Sequence, residues 1–98
     1  MTAHKRQQLA EVLAEVRTLV ANPNNDFAWS SWVDVADALG ELDQLSAALA
    51  AGQVAHAEIR LIFAPTGPLQ ELSVSSGWSD AYQRLAQRVD ALLCGFCR

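Results

Sequence analysis

The sequence predicts an all-α fold, a single small bundle of four or five short helices with residues 1–98 forming one domain. Three observations predict it. Apolar residues recur at spacings of three and four near both ends of the chain, which is the period of one helix face. The breaks between such stretches are built from residues that end helices, at Asn22 to Asp26, at Gly52 and at Pro65 to Pro68. The 98 residues, 51% apolar and 18% charged, are enough for one core and too few for two.

The first helix is read from Leu9, Val12, Leu13, Val16, Leu19 and Val20, with Gln8, Glu11, Glu15 and Arg17 between them. It stops before Asn22-Pro23-Asn24-Asn25-Asp26, because Pro23 disfavours helical geometry at Asn22 and the Asn and Asp residues favour turns. Ser31 is placed to cap a second helix, with Asp34 three residues on in a variant of the capping box. Trp32, Val35, Ala36, Leu39, Leu42, Leu45 and Leu49 supply its stripe. Gly40 falls inside the pattern and marks a place to kink or split the helix, at about 1 kcal/mol relative to Ala. Gly52 terminates it. Gln53 to Ala64 reads as a third helix of less regular period.

Pro68 opens a short helical turn through Leu72, after which the alternation Leu72-Ser73-Val74-Ser75 reads equally well as a short extended segment over 72–75. Ser79, followed by Asp80, caps a last helix striped by Tyr82, Leu85, Ala86, Val89, Leu92, Leu93 and Phe96. Asp80 and Arg84 are spaced for an i,i+4 ion pair. The stripes of the first and last helices are the cleanest and are expected to form the centre of the core.

The net charge of −4 argues against binding to nucleic acid or to an anionic membrane, both of which need clustered Lys and Arg. No apolar run reaches the roughly 20 residues that span a bilayer, and Met1 to Gln8 is polar, so a cytoplasmic protein is expected. The only cysteines, Cys94 and Cys97, provide no disulfide framework. All seven basic residues lie toward the ends, at Lys5, Arg6, Arg17, Arg60, Arg84, Arg88 and Arg98. From Thr18 to Ile59 the charged residues are Asp26, Asp34, Asp37, Glu41, Asp43 and Glu58, so the middle of the chain is purely acidic.

The stretch Leu61-Ile62-Phe63-Ala64-Pro65-Thr66-Gly67-Pro68-Leu69-Gln70-Glu71-Leu72, followed by Gly77-Trp78, resembles a family of small bacterial proteins with no assigned function. Asn25-Asp26-Phe27 and Trp29 to Trp32 are compatible with it, so the resemblance spans most of residues 25–92. It implies a bacterial, intracellular protein and gives no residue a catalytic role. In physical terms the two prolines and the glycine fix a packed corner, beneath which Trp78 can bury a large area.

His56-Ala57-Glu58, taken with Cys94-Gly95-Phe96-Cys97, resembles the zinc deaminase signature. That resemblance makes His56, Cys94 and Cys97 metal ligands and Glu58 the group that moves protons for a metal-bound water. The departures are severe: no Pro precedes Cys94, an amphipathic helix stands where the family has a strand, and no alternation of strands and helices is visible. As a redox pair the two thiols follow a helix and meet the unfavourable end of its dipole. A closed zinc site needs four ligands, for which only His4 and His56 remain. A zinc or thiol enzyme is therefore the alternative reading, and no metal or cofactor is expected.

The principal reading is an acidic interaction module that binds a protein partner with a basic surface. Asp34, Asp37 and Glu41 stand at i, i+3 and i+7 on one helical face, where like charges repel by a few tenths of a kcal/mol per pair. Neutralising them is expected to leave stability unchanged or slightly higher. Trp29, ahead of the helix cap, is the aromatic residue expected to be exposed at the same interface. In size and charge the chain is similar to toxin-neutralising immunity proteins and antitoxins, an analogy of those two properties alone. A homo-oligomer burying apolar surface against itself is a third reading.

Overall fold

The computed structural model describes residues 3–28, 30–53, 56–64 and 67–94, with the side chains of His56 and Cys94 also left aside. Among them are five helices and no strand: α1 (Ala3–Val20), α2 (Val35–Ala50), α3 (His56–Phe63), α4 (Pro68–Ser76) and α5 (Ser79–Cys94). α1 packs against α2 and α5, and α5 packs also against α4 and α3, which touch each other. The predicted centre of the core is the observed one. Leu9, Val12, Leu13, Val16 and Val20 of α1 and Tyr82, Leu85, Val89 and Leu93 of α5 are buried, and the other helices close over them with Leu42, Leu45, Leu49, Ile59, Ile62, Leu69 and Leu72. The radius of gyration, 12.8 Å, is that of a tightly packed chain of this length.

α1 ends where the Asn-rich segment was expected to stop it, and a side chain completes the ending. The Asn25 amide Nδ2 donates to the carbonyls of Leu19 and Val20 at 2.7 and 2.8 Å, filling acceptors that a helix C-terminus leaves open. α2 closes on Gly52, whose φ of +84° is left-handed. The amides of Gly52 and Gln53 reach back to Leu49 and Ala48 at 3.0 and 2.9 Å, a Schellman ending. Gly40 neither kinks nor splits α2, which runs continuously through it, because the helix packs by Ala38, Leu42, Leu45 and Leu49 while Gly40 faces outward.

Residues 72–75 belong to α4, so the extended alternative does not hold. The alternation misleads because Ser73 is a core residue. It is wholly buried, and its hydroxyl donates to the Gln70 carbonyl at 2.9 Å, so Leu69, Leu72 and Ser73 form the inner face at helical spacing. α5 begins at its expected cap, one residue earlier than expected: the Tyr82 amide donates to the Trp78 carbonyl at 3.1 Å, which puts Ser79 in the first turn. Asp80 and Arg84 do not pair. Two longer-range ion pairs tie helices together, Arg17 with Asp43 at 2.9 Å between α1 and α2, and Arg88 with Glu15 at 3.2 Å between α5 and α1.

The corner between α3 and α4 is closely packed at Gly67; Pro65 and Thr66 lie outside the described residues, and Trp78, expected beneath the corner, is half-buried and bonded to Asn25. A Cβ at Gly67 would stand 2.4 Å from the Leu61 carbonyl oxygen and 3.0 Å from that of Ile62, so only glycine lets the chain cross the end of α3 this closely. From the other side the Tyr82 hydroxyl donates to the Phe63 carbonyl at 2.7 Å. Burial first, then the Asp90 carboxylate, pushes the Tyr82 phenol above its usual range, so this donor keeps its proton past the pH at which an exposed tyrosine ionises.

Two predictions follow from this packing. Leu13→Ala and Leu85→Ala, at 1% and 5% exposure, should each lower stability by about 2–5 kcal/mol in urea denaturation. Glycine substitutions should have opposite signs: Gly40→Ala meets nothing within 4 Å and should stabilise by about 0.5–1 kcal/mol. Gly67→Ala, driven against backbone, should cost about 2 kcal/mol or more in the same measurement.

Candidate functional site

The acidic residues singled out from the sequence come together at the start of α2, and each is engaged in folding the segment that carries it. Asp34, in extended geometry, is the N-cap; its Oδ1 accepts from the Asp37 amide at 2.9 Å. In return Asp37 Oδ2 accepts from the Val33 amide at 3.1 Å. The pair is a reciprocal capping device set three residues beyond the predicted one. Ser31 does not cap, because its neighbourhood is held elsewhere. The Ser31 amide donates to Glu71 Oε1 at 3.3 Å, and the Ser30 hydroxyl oxygen accepts from the Trp32 amide at 3.2 Å, which keeps residues 30–33 out of the helix.

Glu41, two turns into α2, accepts from Trp32 Nε1 at 2.6 Å, while the indole itself is buried. Trp32 thus pins the incoming chain to the outer side of the helix. The expected stripe is corrected accordingly. Val35 and Ala36 are exposed, because the helix starts only at Val35 and turns Ala38, Leu42, Leu45 and Leu49 inward instead.

These contacts also reverse the expected energetics. Like-charge repulsion costs a few tenths of a kcal/mol per pair. Against it stand a cap of about 1 kcal/mol and a dipole term of about 0.3–1 kcal/mol for a carboxylate in the first turn. The acidic face therefore stabilises α2.

Electrostatically the patch is smaller than the acidic window. Asp43 is matched by Arg17: hydrogen bonding from the guanidinium, with its charge, holds the Asp43 carboxyl below its usual range and raises Arg17. Asp26 belongs to a different structure, accepting from the Ala28 amide at 2.9 Å and tying its own backbone to Ser75 and Ser76 of α4. Of the window, Glu58 stands apart on α3, and Asp34, Asp37 and Glu41 remain at α2, all exposed, each with one oxygen committed to a hydrogen bond.

Beside them is a residue that sequence reasoning passed over. Val33 is 82% exposed and Val35 40% exposed, so apolar surface lies directly against the carboxylates. The available signal was a valine that fits no buried stripe. Trp29 lies outside the described residues. The other aromatics of this region do pack: Phe27 and Trp78 lie half-buried against the core, and Trp78 Nε1 donates to Asn25 Oδ1 at 2.8 Å.

Of the alternative site, Cys97 and the side chains of His56 and Cys94 also lie outside the described residues, and Glu58 is exposed on α3. Among the described residues no three His, Cys, Asp or Glu side chains are grouped to hold a metal ion, and no helix is long and apolar enough to cross a membrane. Compared with family models, curated proteins and solved structures, the chain matches none.

The capping geometry makes a prediction opposite to the one from charge spacing. Asp34→Ala should lower stability by about 1 kcal/mol. The combined Asp34→Asn, Asp37→Asn and Glu41→Gln variant keeps the accepting oxygens and loses the interaction of charge with the helix dipole, so it should melt slightly below the parent in circular dichroism; equal melting would show that relief of mutual repulsion cancels that loss.

Proposed function

We propose that the protein is a small interaction module whose N-terminal end of α2 docks on the basic surface of a protein partner. The observation that carries this reading is the set of three exposed carboxylates, Asp34, Asp37 and Glu41, at the start of α2, next to the uncovered Val33, whose amide donates to Asp37. Each carboxylate is already oriented by a hydrogen bond, so little side-chain freedom is lost when its second oxygen meets a Lys or Arg. Val33 supplies apolar area, and the neighbouring carboxylates select a cationic counterpart by steering the encounter. The chain is similar to immunity proteins and antitoxins in size and charge, an analogy of those two properties alone.

The test replaces Val33 with a photo-crosslinking amino acid in the producing cell and identifies what is captured, with Ala47, an exposed α2 residue, as the control position. The reading expects a protein captured from position 33 and not from 47, carrying a basic patch at the crosslink. Its association rate should fall steeply with ionic strength, less so for the triple neutral variant at a temperature where that variant is folded. Equal rates for the two proteins at low salt would overturn the reading.

A further inference from the structure

α2 is attached to the rest of the molecule differently from every other helix. It packs closely against α1 alone, whereas each of the others packs against at least two neighbours. With α2 set aside, α1, α3 and α4 all remain gathered on α5, and α3 and α4 still touch each other. The end of α3 is further held to that body by the Tyr82 hydroxyl and by the close crossing at Gly67.

The hydrogen bonds of the segment ahead of α2 divide along the same line. Up to Ser30 they reach into the four-helix body. Asn25 bonds to the end of α1 and to Trp78, Asp26 bonds to Ser75 and Ser76, and the Ser30 hydroxyl donates to the Pro68 carbonyl. Beyond it they turn to α2: the Trp32 indole donates to Glu41, the Val33 amide to Asp37 and the Asp37 amide to Asp34. At the far end the Gly52 and Gln53 amides likewise bond back into α2. Among the described residues, the polar contacts that cross the divide are the Trp32 amide to the Ser30 hydroxyl at 3.2 Å, the Ser31 amide to Glu71 at 3.3 Å, and the half-exposed Arg17–Asp43 pair. The two amide bonds sit at or beyond the long end of the usual range, and an exposed ion pair contributes little.

We propose that residues 31–53 form a lid, which opens from the body of α1, α3, α4 and α5 as one unit and more often than the whole chain unfolds. Its inner face, made of Trp32, Ala38, Leu42, Leu45 and Leu49, holds it closed by apolar burial. Opening gives up that interface only; unfolding gives up those around α5 as well, so the two events differ in free energy and in the surface they expose. The open state uncovers the apolar stripe of α2 and the side of α1 beneath it. Once detached, a helix of 16 residues is marginal in water, so its amides exchange from the open state.

Native-state hydrogen exchange of the full chain, followed by NMR across a series of low urea concentrations, tests this. The amides of Leu39 to Ala50 should share one opening, exchange about tenfold or more faster than the slowest amides of α1 and α5, and respond less steeply to urea. Tyr82→Phe separates the two events, because the bond it removes, to the Phe63 carbonyl, lies wholly within the body. In that variant the slowest α5 amides should exchange severalfold faster while those of α2 keep their rate. Exchange of α2 that matches α5 in rate and urea dependence would overturn the lid, as would a Tyr82→Phe variant that speeds both sets equally.

Discussion

The side-chain amide of Asn25 is the contact on which the rest of the arrangement depends. Its nitrogen closes the end of α1 on the Leu19 and Val20 carbonyls, and its oxygen accepts the Trp78 indole at the entrance to α5. One half-buried carboxamide thereby fixes the exit of the first helix against the entrance of the last. On the way to α2, Asp26 and Ser31 are bonded to α4. An aspartate at this position would keep the acceptor and lose both donated bonds, taking the side-chain donor from the Val20 carbonyl and leaving that of Leu19 to the Asn22 amide.

Charge in this protein is first a matter of folding. The carboxylates at the start of α2 cap, complement the dipole and anchor an indole, and Asp43 joins α2 to α1 through Arg17. A negative face can therefore exist without selection for a partner. The feature that capping does not account for is Val33, an apolar side chain left in water beside those carboxylates.

How much was legible in the sequence depended on how locally each element is determined. The stripes of α1 and α5 could be read because every buried residue in them sits at helical spacing, from Leu9 to Val20 and from Tyr82 to Leu93. The start of α2 could not, because Ser31–Asp34 and Asp34–Asp37 are equally good capping pairs by spacing. The choice between them is made by Glu71, forty residues away, holding the Ser31 amide. Ser73 shows the same limit: a serine reads as surface until its hydroxyl is seen to be satisfied within its own helix. In the candidate site the carboxylates were found by spacing and their roles were not, since hydrogen bonds to Val33 and Trp32 depend on a path of the loop that no periodicity encodes.

The bonds that secure the loop before α2 have a consequence for how the chain is made. Asn25, Asp26 and Ser31 take their partners from residues 53, 50 and 40 positions further on. During synthesis the first half therefore leaves the ribosome with its connecting loop unsecured and the apolar face of α1 only partly covered, by α2. Closure waits for Ser76 and Trp78, and for α5 to complete the core behind them. Loop-closure entropy is then met late and all at once, so residues 3–50 should persist as a loose helical pair until α5 has emerged.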